Sequence, residues 1–365
     1  MLIAFALVGV LSFLITLNLV PRVARLALRA GFLDRPGERK IHTRPIPYGG
    51  GIAVAVGMFA TILGGLLAAW FHAQFGVLGN APEIVEHLPG LASRVPQLLS
   101  ILLGGAAFML LGLVDDKVKL TPMFRLAVEA VVAFGVSLTI DPLSLFMGEG
   151  LTAAILGRVV TVVWIVAVAN MFNLLDHFDG LSSGVALIAG LAFFLVALAT
   201  GQLFIAALLA ALMGSVAGFL VFNFPPAKIF LGDAGSLFIG YMLGVLCVLF
   251  TFYSAPFPPF SYLVPFAVLA VPMLDTAFVC VARMRAGRSI FQGDRRHLAH
   301  RLSAMGLGPR GVLAVVYGLT LISGIGALLL YEVRLAGALG ILAQIGVVFI
   351  IITVLERAGK TNGRE

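Results

Sequence analysis

Leu203-Phe-Ile-Ala-Ala-Leu-Leu-Ala-Ala-Leu-Met-Gly-Ser-Val-Ala-Gly-Phe-Leu-Val221 runs for nineteen residues without a charge or a proline. As an α-helix rising 1.5 Å per residue it would reach about 28 Å, close to the hydrocarbon thickness of a bilayer. A strand of a membrane barrel would alternate polar and apolar residues, and this stretch does not. Outward from it the same pattern recurs. Apolar segments cover approximately Leu2–Val20, Gly49–Phe71, Gln97–Val114, Phe124–Ile140, Val159–Phe172, Ser183–Ala199, Leu203–Val221, Ser236–Phe252, Tyr262–Val281, Gly311–Leu330 and Ala336–Leu355. The fifth is the weakest, short and with Arg158 at its edge. The first lacks a basic leader and a small-residue cleavage site, so it reads as a retained span rather than a signal peptide. The chain is thus predicted to be an all-α polytopic membrane protein of eleven transmembrane helices.

Composition agrees. Of 365 residues, 61% are hydrophobic and 11% charged, whereas a soluble domain carries about 25% charged residues. No repeat, low-complexity tract or soluble domain interrupts the pattern, which predicts one membrane-embedded domain over 1–365. Cys247 and Cys280 both lie inside apolar runs and suggest neither a disulfide framework nor a metal cluster.

The net charge of +7 could suit nucleic acid, but its placement excludes that. With the N-terminus on side one, alternate loops sort the cations. Side two takes 21 of the 24 Lys and Arg residues, counting Arg125 just inside the fourth segment; side one takes Arg94, Arg158 and Arg334. By the positive-inside rule side two is cytoplasmic, with the N-terminus outside (periplasmic) and the C-terminus inside.

The carboxylates then stand out. Asp115 and Asp116 end the third segment, Asp176 and Asp179 follow the fifth, and Asp233 precedes the eighth. All five fall on the cytoplasmic face. One such acid would read as a helix cap or a partner of Lys117, Lys119 or Lys228. Five together repel unless a cation lies among them, and hard oxygen ligands suit Mg²⁺, with Mn²⁺ the alternative. Two basic loops share that face. The first runs Asp34 to Gly51 through Lys40, His42 and three prolines; the second reads Asp294-Arg-Arg-His297-Leu-Ala-His300-Arg301. Arg and His on one short segment suit a diphosphate. Gly232-Asp233-Ala-Gly235-Ser236 opens a helix whose free N–H groups are expected to hold an anion. Acids for a divalent metal plus cations for a diphosphate, at a membrane surface, are the equipment of phosphoryl transfer to a lipid-soluble acceptor. Glu129 and Asp275, both inside apolar segments, are expected to be paired or functional.

The sequence resembles the polyprenyl-phosphate N-acetylhexosamine-1-phosphate transferases. Five motifs in family order carry the resemblance: Arg39-Lys40-Ile-His42 through Gly50; Gly112-Leu-Val-Asp115-Asp116; Asn170-Met-Phe-Asn173-Leu-Leu-Asp176-His-Phe-Asp179-Gly180; Phe230-Leu-Gly-Asp233-Ala-Gly-Ser236; and Asp294-Arg-Arg-His297-Leu-Ala-His300-Arg. The resemblance implies transfer of a sugar 1-phosphate, most simply GlcNAc 1-phosphate, from a UDP-sugar to undecaprenyl phosphate, with release of UMP. It implies Mg²⁺ dependence, a site on the cytoplasmic face of the cell (inner) membrane, and a role in starting a cell-envelope polysaccharide such as O-antigen or teichoic acid. By position, Asp233 would ligate the metal with Asn173 as a second ligand. Asp115 and Asp116 would serve the lipid phosphate or the metal, Asp115 as base or nucleophile. Asp176 and Asp179 would lie near uridine and metal. His297, Arg295, Arg296 and Arg301 would hold the diphosphate or sugar with His300, and Lys40 and His42 would help hold nucleotide or phosphate. A homodimer is compatible with this reading; a nucleic-acid partner is not expected.

Two positions depart from the family pattern. His177 stands where Gly is usual between the paired acids, and Ala299 replaces the middle histidine of the last motif. The Asp-Arg-x-His opening favours the WecA/TagO-type branch over phospho-MurNAc-pentapeptide transfer. The rival classes are a transporter of a nucleotide sugar or lipid-linked anion, and a non-catalytic platform that holds a lipid phosphate.

Overall fold

The computed structural model describes residues 1–34, 45–76, 85–143, 150–250, 252, 258–289 and 296–362. The chain is almost wholly helical. In order, the helices are α1 (Leu2–Arg29), α2 (Gly50–Phe75), α3 (Leu88–Ser93), α4 (Val95–Val118), α5 (Pro122–Ser137), α6 (Leu151–Leu175), α7 (Leu181–Ala199), α8 (Leu203–Asn223), α9 (Gly232–Leu249), α10 (Val264–Val268), α11 (Ala270–Arg285), α12 (Leu298–Ala304), α13 (Pro309–Leu329) and α14 (Leu335–Asn362). A short antiparallel pair, β1 (Leu33–Asp34) and β2 (Ile46–Pro47), is the exception to the all-α expectation.

Helix α9 is the axis of the bundle. It is buried along nearly its whole length and packs chiefly against α4 and α6, with α2 alongside. Small residues permit this, as they do wherever membrane helices approach closely without a hydrophobic driving force. A Cβ on Gly112 of α4 would collide with the backbone of Asp233 and Ala234, and one on Gly51 of α2 would strike Gly235. The first contact presses the first turn of α9 against the end of α4, which sets Asp233 beside Asp115 and Asp116, and the second holds that turn against α2. Buried polar ties reinforce the packing: Tyr241 donates to the Ile101 carbonyl at 3.0 Å, and Ser12 of α1 donates to Ala211 of α8 at 2.7 Å. The outer face exposes Leu7, Trp70, Leu103, Val131, Val163 and Ile350. Water would not tolerate such a surface, and lipid does; this is a polytopic, multi-pass membrane protein.

Each of the eleven expected segments coincides with a helix, but not all as straight spans. Among the described residues eight helices are long and apolar enough to cross alone: α1, α2, α4, α6, α7, α8, α9 and α13. The segment at Tyr262–Val281 is broken, bending by 71° between Phe260–Val268 and α11. Helix α5 has only 16 residues, and in α14 the described apolar stretch covers Leu335–Ile351. The fifth segment, expected to be weakest, is a full 25-residue helix. Arg158 lies within it and donates to the Ser137 carbonyl at 2.5 Å, so its charge caps the C-terminal end of α5 instead of ending α6.

Candidate active site

The last turn of α4, the first turns of α5 and α9 and the loops after α6 and α8 meet at one end of the bundle. Helix α4 stops at Lys119, which adopts φ 58°. The turn returns the Leu120 N–H to Asp115 Oδ1 at 2.7 Å. Thr121 then caps α5, with Pro122 in its first turn, so that Arg125 faces back to α4. Arg125 is a hub. Its Nη1 reaches Asp115 Oδ2 at 2.9 Å and lies 3.9 Å from Asp233 Oδ2; its Nη2 donates to Asn170 Oδ1 at 3.2 Å; its Nε lies 3.5 Å from Glu129 Oε1. Asn170 in turn donates to Glu129 Oε2, which is fully buried. A planar fork of donors suits such a set, and a buried carboxylate needs one.

The other acids are tied down as firmly. Asp116 accepts the N–H groups of Asp233 and Ala234 at 3.0 and 3.2 Å, and Asp176 accepts that of Gly232. The start of α9 was expected to offer free N–H groups to an anion. It does not: the protein's own carboxylates occupy them, and the positive end of the helix is what lets these acids crowd together. Asp233 Oδ1 accepts from Asn173 Nδ2 at 2.8 Å, and Arg125 Nη1 stands between its carboxylate and that of Asp115, 3.9 and 2.9 Å from their Oδ2 atoms. Asp179 Oδ2 accepts from Ala227 N at 2.9 Å, joining the loop after α6 to the loop before α9. Desolvation, with Asp233, Asp116 and Asp179 close by, holds the Asp176 carboxyl well above the usual carboxylate range.

These groups border a cavity of about 1270 Å³. Asp116, Asp176, Asp179, Asp233, His177 and His300 line it, as do the cations Lys119 and Arg310 and, from the N-terminal side, Asp34 and Tyr48. Asp115, Asn173 and His297 stand behind the wall. His297, at the start of α12, is 4% exposed; its Nδ1 meets Asp275 Oδ2 at 2.8 Å, and the other Asp275 oxygen accepts the Leu298 N–H at 2.6 Å.

Of the expected site residues, the structure brings together Asp115, Asp116, Asn173, Asp176, Asp179, Asp233, His297 and His300. Lys40, His42 and Arg295 lie outside the described residues. Arg296 and Arg301 were expected on the diphosphate and are placed elsewhere. Arg296 Nη1 donates to the Ala282 carbonyl at 3.1 Å, and the Arg301 guanidinium sits 4.0 Å from the centre of the Phe278 ring. Among the described residues neither lines the cavity, whereas Lys119 and Arg310 do and were not expected there. Arg125 and Asn170 were also missed as site residues, while Asp275, expected to be paired or functional, is paired with His297. Arg125 had counted only as a topological charge, yet its spacing from Glu129, i to i+4 inside an apolar helix, was a readable sign of a buried pair.

Residues 98–251 match the family described as glycosyl transferase family 4. The chain is 30% identical over 358 residues to the probable undecaprenyl-phosphate N-acetylglucosaminyl 1-phosphate transferase of Bacillus subtilis strain 168, covering 97% of this chain and 91% of that one. The chain belongs to this family. It is also 30% identical over 392 residues to the decaprenyl-phosphate N-acetylglucosaminephosphotransferase of Mycolicibacterium smegmatis, covering 99% and 91% of the two chains. With the undecaprenyl-phosphate alpha-N-acetylglucosaminyl 1-phosphate transferase of Escherichia coli K12 it shares 26% over 319 residues, 84% and 79% of the two. In this family 4 member the matched segment holds the whole acid cluster together with Arg125 and Asn170. The Asp275–His297 pair comes from beyond it, and Asp34 and Tyr48 from before it, so three separate stretches of chain build the cavity and its surround.

Proposed function

We propose that the protein transfers N-acetylglucosamine 1-phosphate from its UDP-sugar to undecaprenyl phosphate and releases UMP. The observation that carries this is the gathering of the Asp116, Asp176 and Asp233 carboxylates on the wall of a cavity large enough for a nucleotide sugar, with Asp115 just behind them. Carboxylates gathered this closely repel unless a proton or a cation lies among them. Mg²⁺ keeps several waters and is bound by one or two carboxylates plus substrate phosphates. The donor set, the Asp233 carboxylate and the Asn173 amide oxygen, is hard oxygen of the kind such an ion takes. Asp233 would hold it with Asn173, which orients Asp233 through its amide nitrogen and so leaves its oxygen as the ligating atom. Bound there, the ion would neutralise charge on the transferring phosphoryl group. Mn²⁺ would fit the same set.

The rest is the work of the chain. Lys119 and Arg310 would offset the donor's diphosphate charge. An apolar groove of about 360 Å³ between α5 and α6, lined by Leu126, Ala130, Val162, Val163 and Val166, ends at Asn170 beside Arg125. It supports entry of a polyprenyl chain whose phosphate would meet the acid cluster. Both Asp115 oxygens are engaged, one by Leu120 N and one by Arg125. That favours Asp115 as a fixed charge over Asp115 as nucleophile. The lipid phosphate is itself largely ionised near neutrality, its second pKa being about 6. In the direct route it attacks the β-phosphorus, the P–O bond to the α-phosphate breaks, and UMP leaves. The 21-to-3 distribution of Lys and Arg supports placing the cavity on the cytoplasmic side of eleven crossings.

Purified protein with radiolabelled UDP-GlcNAc, undecaprenyl phosphate and Mg²⁺ should yield a lipid-extractable product and UMP. Uptake into vesicles without product would overturn the reading in favour of a transporter. A donor chiral at the β-phosphorus should show inversion; net retention would restore Asp115 as a covalent nucleophile.

A further inference from the structure

We propose that His177 is a positioning residue: its ring packs against those of His297 and His300 and holds both in place at the cavity. The ring centre of His177 lies 4.5 Å from that of His297 and 4.6 Å from that of His300, with interplanar angles of 34° and 32°. At these separations the tilted rings are in contact. The three side chains come from two distant stretches, the loop after α6 and the start of α12. Helix α12 spans only seven residues, too few to be stable by itself, so its histidines need outside support. Asp275 supplies it for His297 from one side, and His177 supplies it for both rings from the other.

His177 is built for this task. Its Nδ1 donates to the Leu174 carbonyl at 2.9 Å, in the last turn of α6. The proton is therefore on Nδ1, and Nε2 is a bare acceptor, buried and without a hydrogen-bond partner among the described residues. A buried acceptor left unmatched works against folding, so the loop gains nothing from an imidazole for its own sake. Burial, and then the His297 ring, lower the pKa of His177 to about 3. The ring stays neutral and can lie against two others without charge repulsion. A glycine here would offer neither ring any contact.

The kinetic arm of the test rests on the proposed transferase reaction; the chemical arm does not. Full-length protein in detergent is prepared with His177→Gly, His177→Asn and His177→Phe. Asn can keep the bond to Leu174 O and loses the ring; Phe keeps the ring and loses the bond. Each is treated with diethyl pyrocarbonate, and modification of His297 and His300 is read by peptide mass spectrometry. The Gly and Asn variants should raise modification of both histidines by roughly threefold or more, as expected of freed local packing, with Phe close to wild type. In the transfer assay, Gly and Asn should raise KM for the UDP-sugar by roughly fivefold, with kcat and the lipid KM within about twofold, and Phe should restore it. Unchanged labelling in the Gly variant, or equal protection by Asn and Phe, would overturn the proposal. If the Gly variant does not fold, the contrast between Asn and Phe decides alone. A wild-type protein that transfers nothing from any UDP-sugar would remove the proposed reaction, while the labelling contrast still decides the ring contact.

Discussion

Around Asp233 the cavity wall is made of charges, each tied to a fixed donor; around His177 it is made of rings that touch one another. Asp116 and Asp176 sit on the N–H groups of α9, and Asp115 is held by a backbone N–H and a guanidinium. His177, by contrast, has one hydrogen bond and two ring contacts. A buried charge is stable only with a matched partner, whereas a neutral ring needs shape. Removing charge at the first end should therefore cost far more than changing polarity at the second.

The sharpest test is Asp233→Asn, which keeps the shape and deletes the charge. We expect turnover to fall roughly a hundredfold or more, with weakened dependence on Mg²⁺, since a fixed electrostatic contribution of this kind is commonly worth about 3 kcal/mol. Near-normal turnover at ordinary Mg²⁺ would break the contrast at its strongest point. Arg125→Ala comes next. It strands Asp115 and Glu129, which are 8% and 0% exposed. Losing one partner of such a pair destabilises by about 3–5 kcal/mol. A clear drop in Tm should accompany at least a tenfold or so loss of turnover, with Arg125→Lys in between because Lys keeps the charge but not the fork.

Asp275→Asn probes the seam between the two regions. One carboxylate now accepts from both His297 Nδ1 and Leu298 N. An amide has a single oxygen for the two sites, and its NH₂ group cannot accept. Donor kcat/KM should fall by roughly tenfold, less than for Asp233, because the change acts through His297. Equal losses at the two positions would merge the regions into one.

The smallest effect is one of pH. His177 has a folded pKa of about 3, below its unfolded value of about 6.5. Its neutral form therefore stabilises the fold above about pH 6.5, and that contribution is lost as pH falls towards 3, because the unfolded state takes up the proton first. His177→Phe removes this loss, so the fall in Tm between pH 7 and pH 5 should be shallower than in wild type. Identical slopes would mean that the ring titrates normally.

The chain's apolar runs determined a great deal without any structure. Lipid requires every backbone polar group to be satisfied within its own segment, so long uncharged stretches such as Leu203–Val221 had to be helices, and acids had to collect at their ends. The five aspartates, and the motifs that place the chain in its family, were legible for that reason. What local pattern could not show was which end meets which. That Asp116 would close the first turn of a helix 117 residues away depends on Gly112 letting two backbones touch. That Arg125 would bind Asp115, Asn170 and Glu129 together, and Arg296 would turn to a carbonyl instead of the cavity, depends on which helices lie side by side. Helix formation is dictated by neighbours in sequence and by the solvent. The pairing of buried charges is dictated by neighbours in space, and only the packed bundle supplies those.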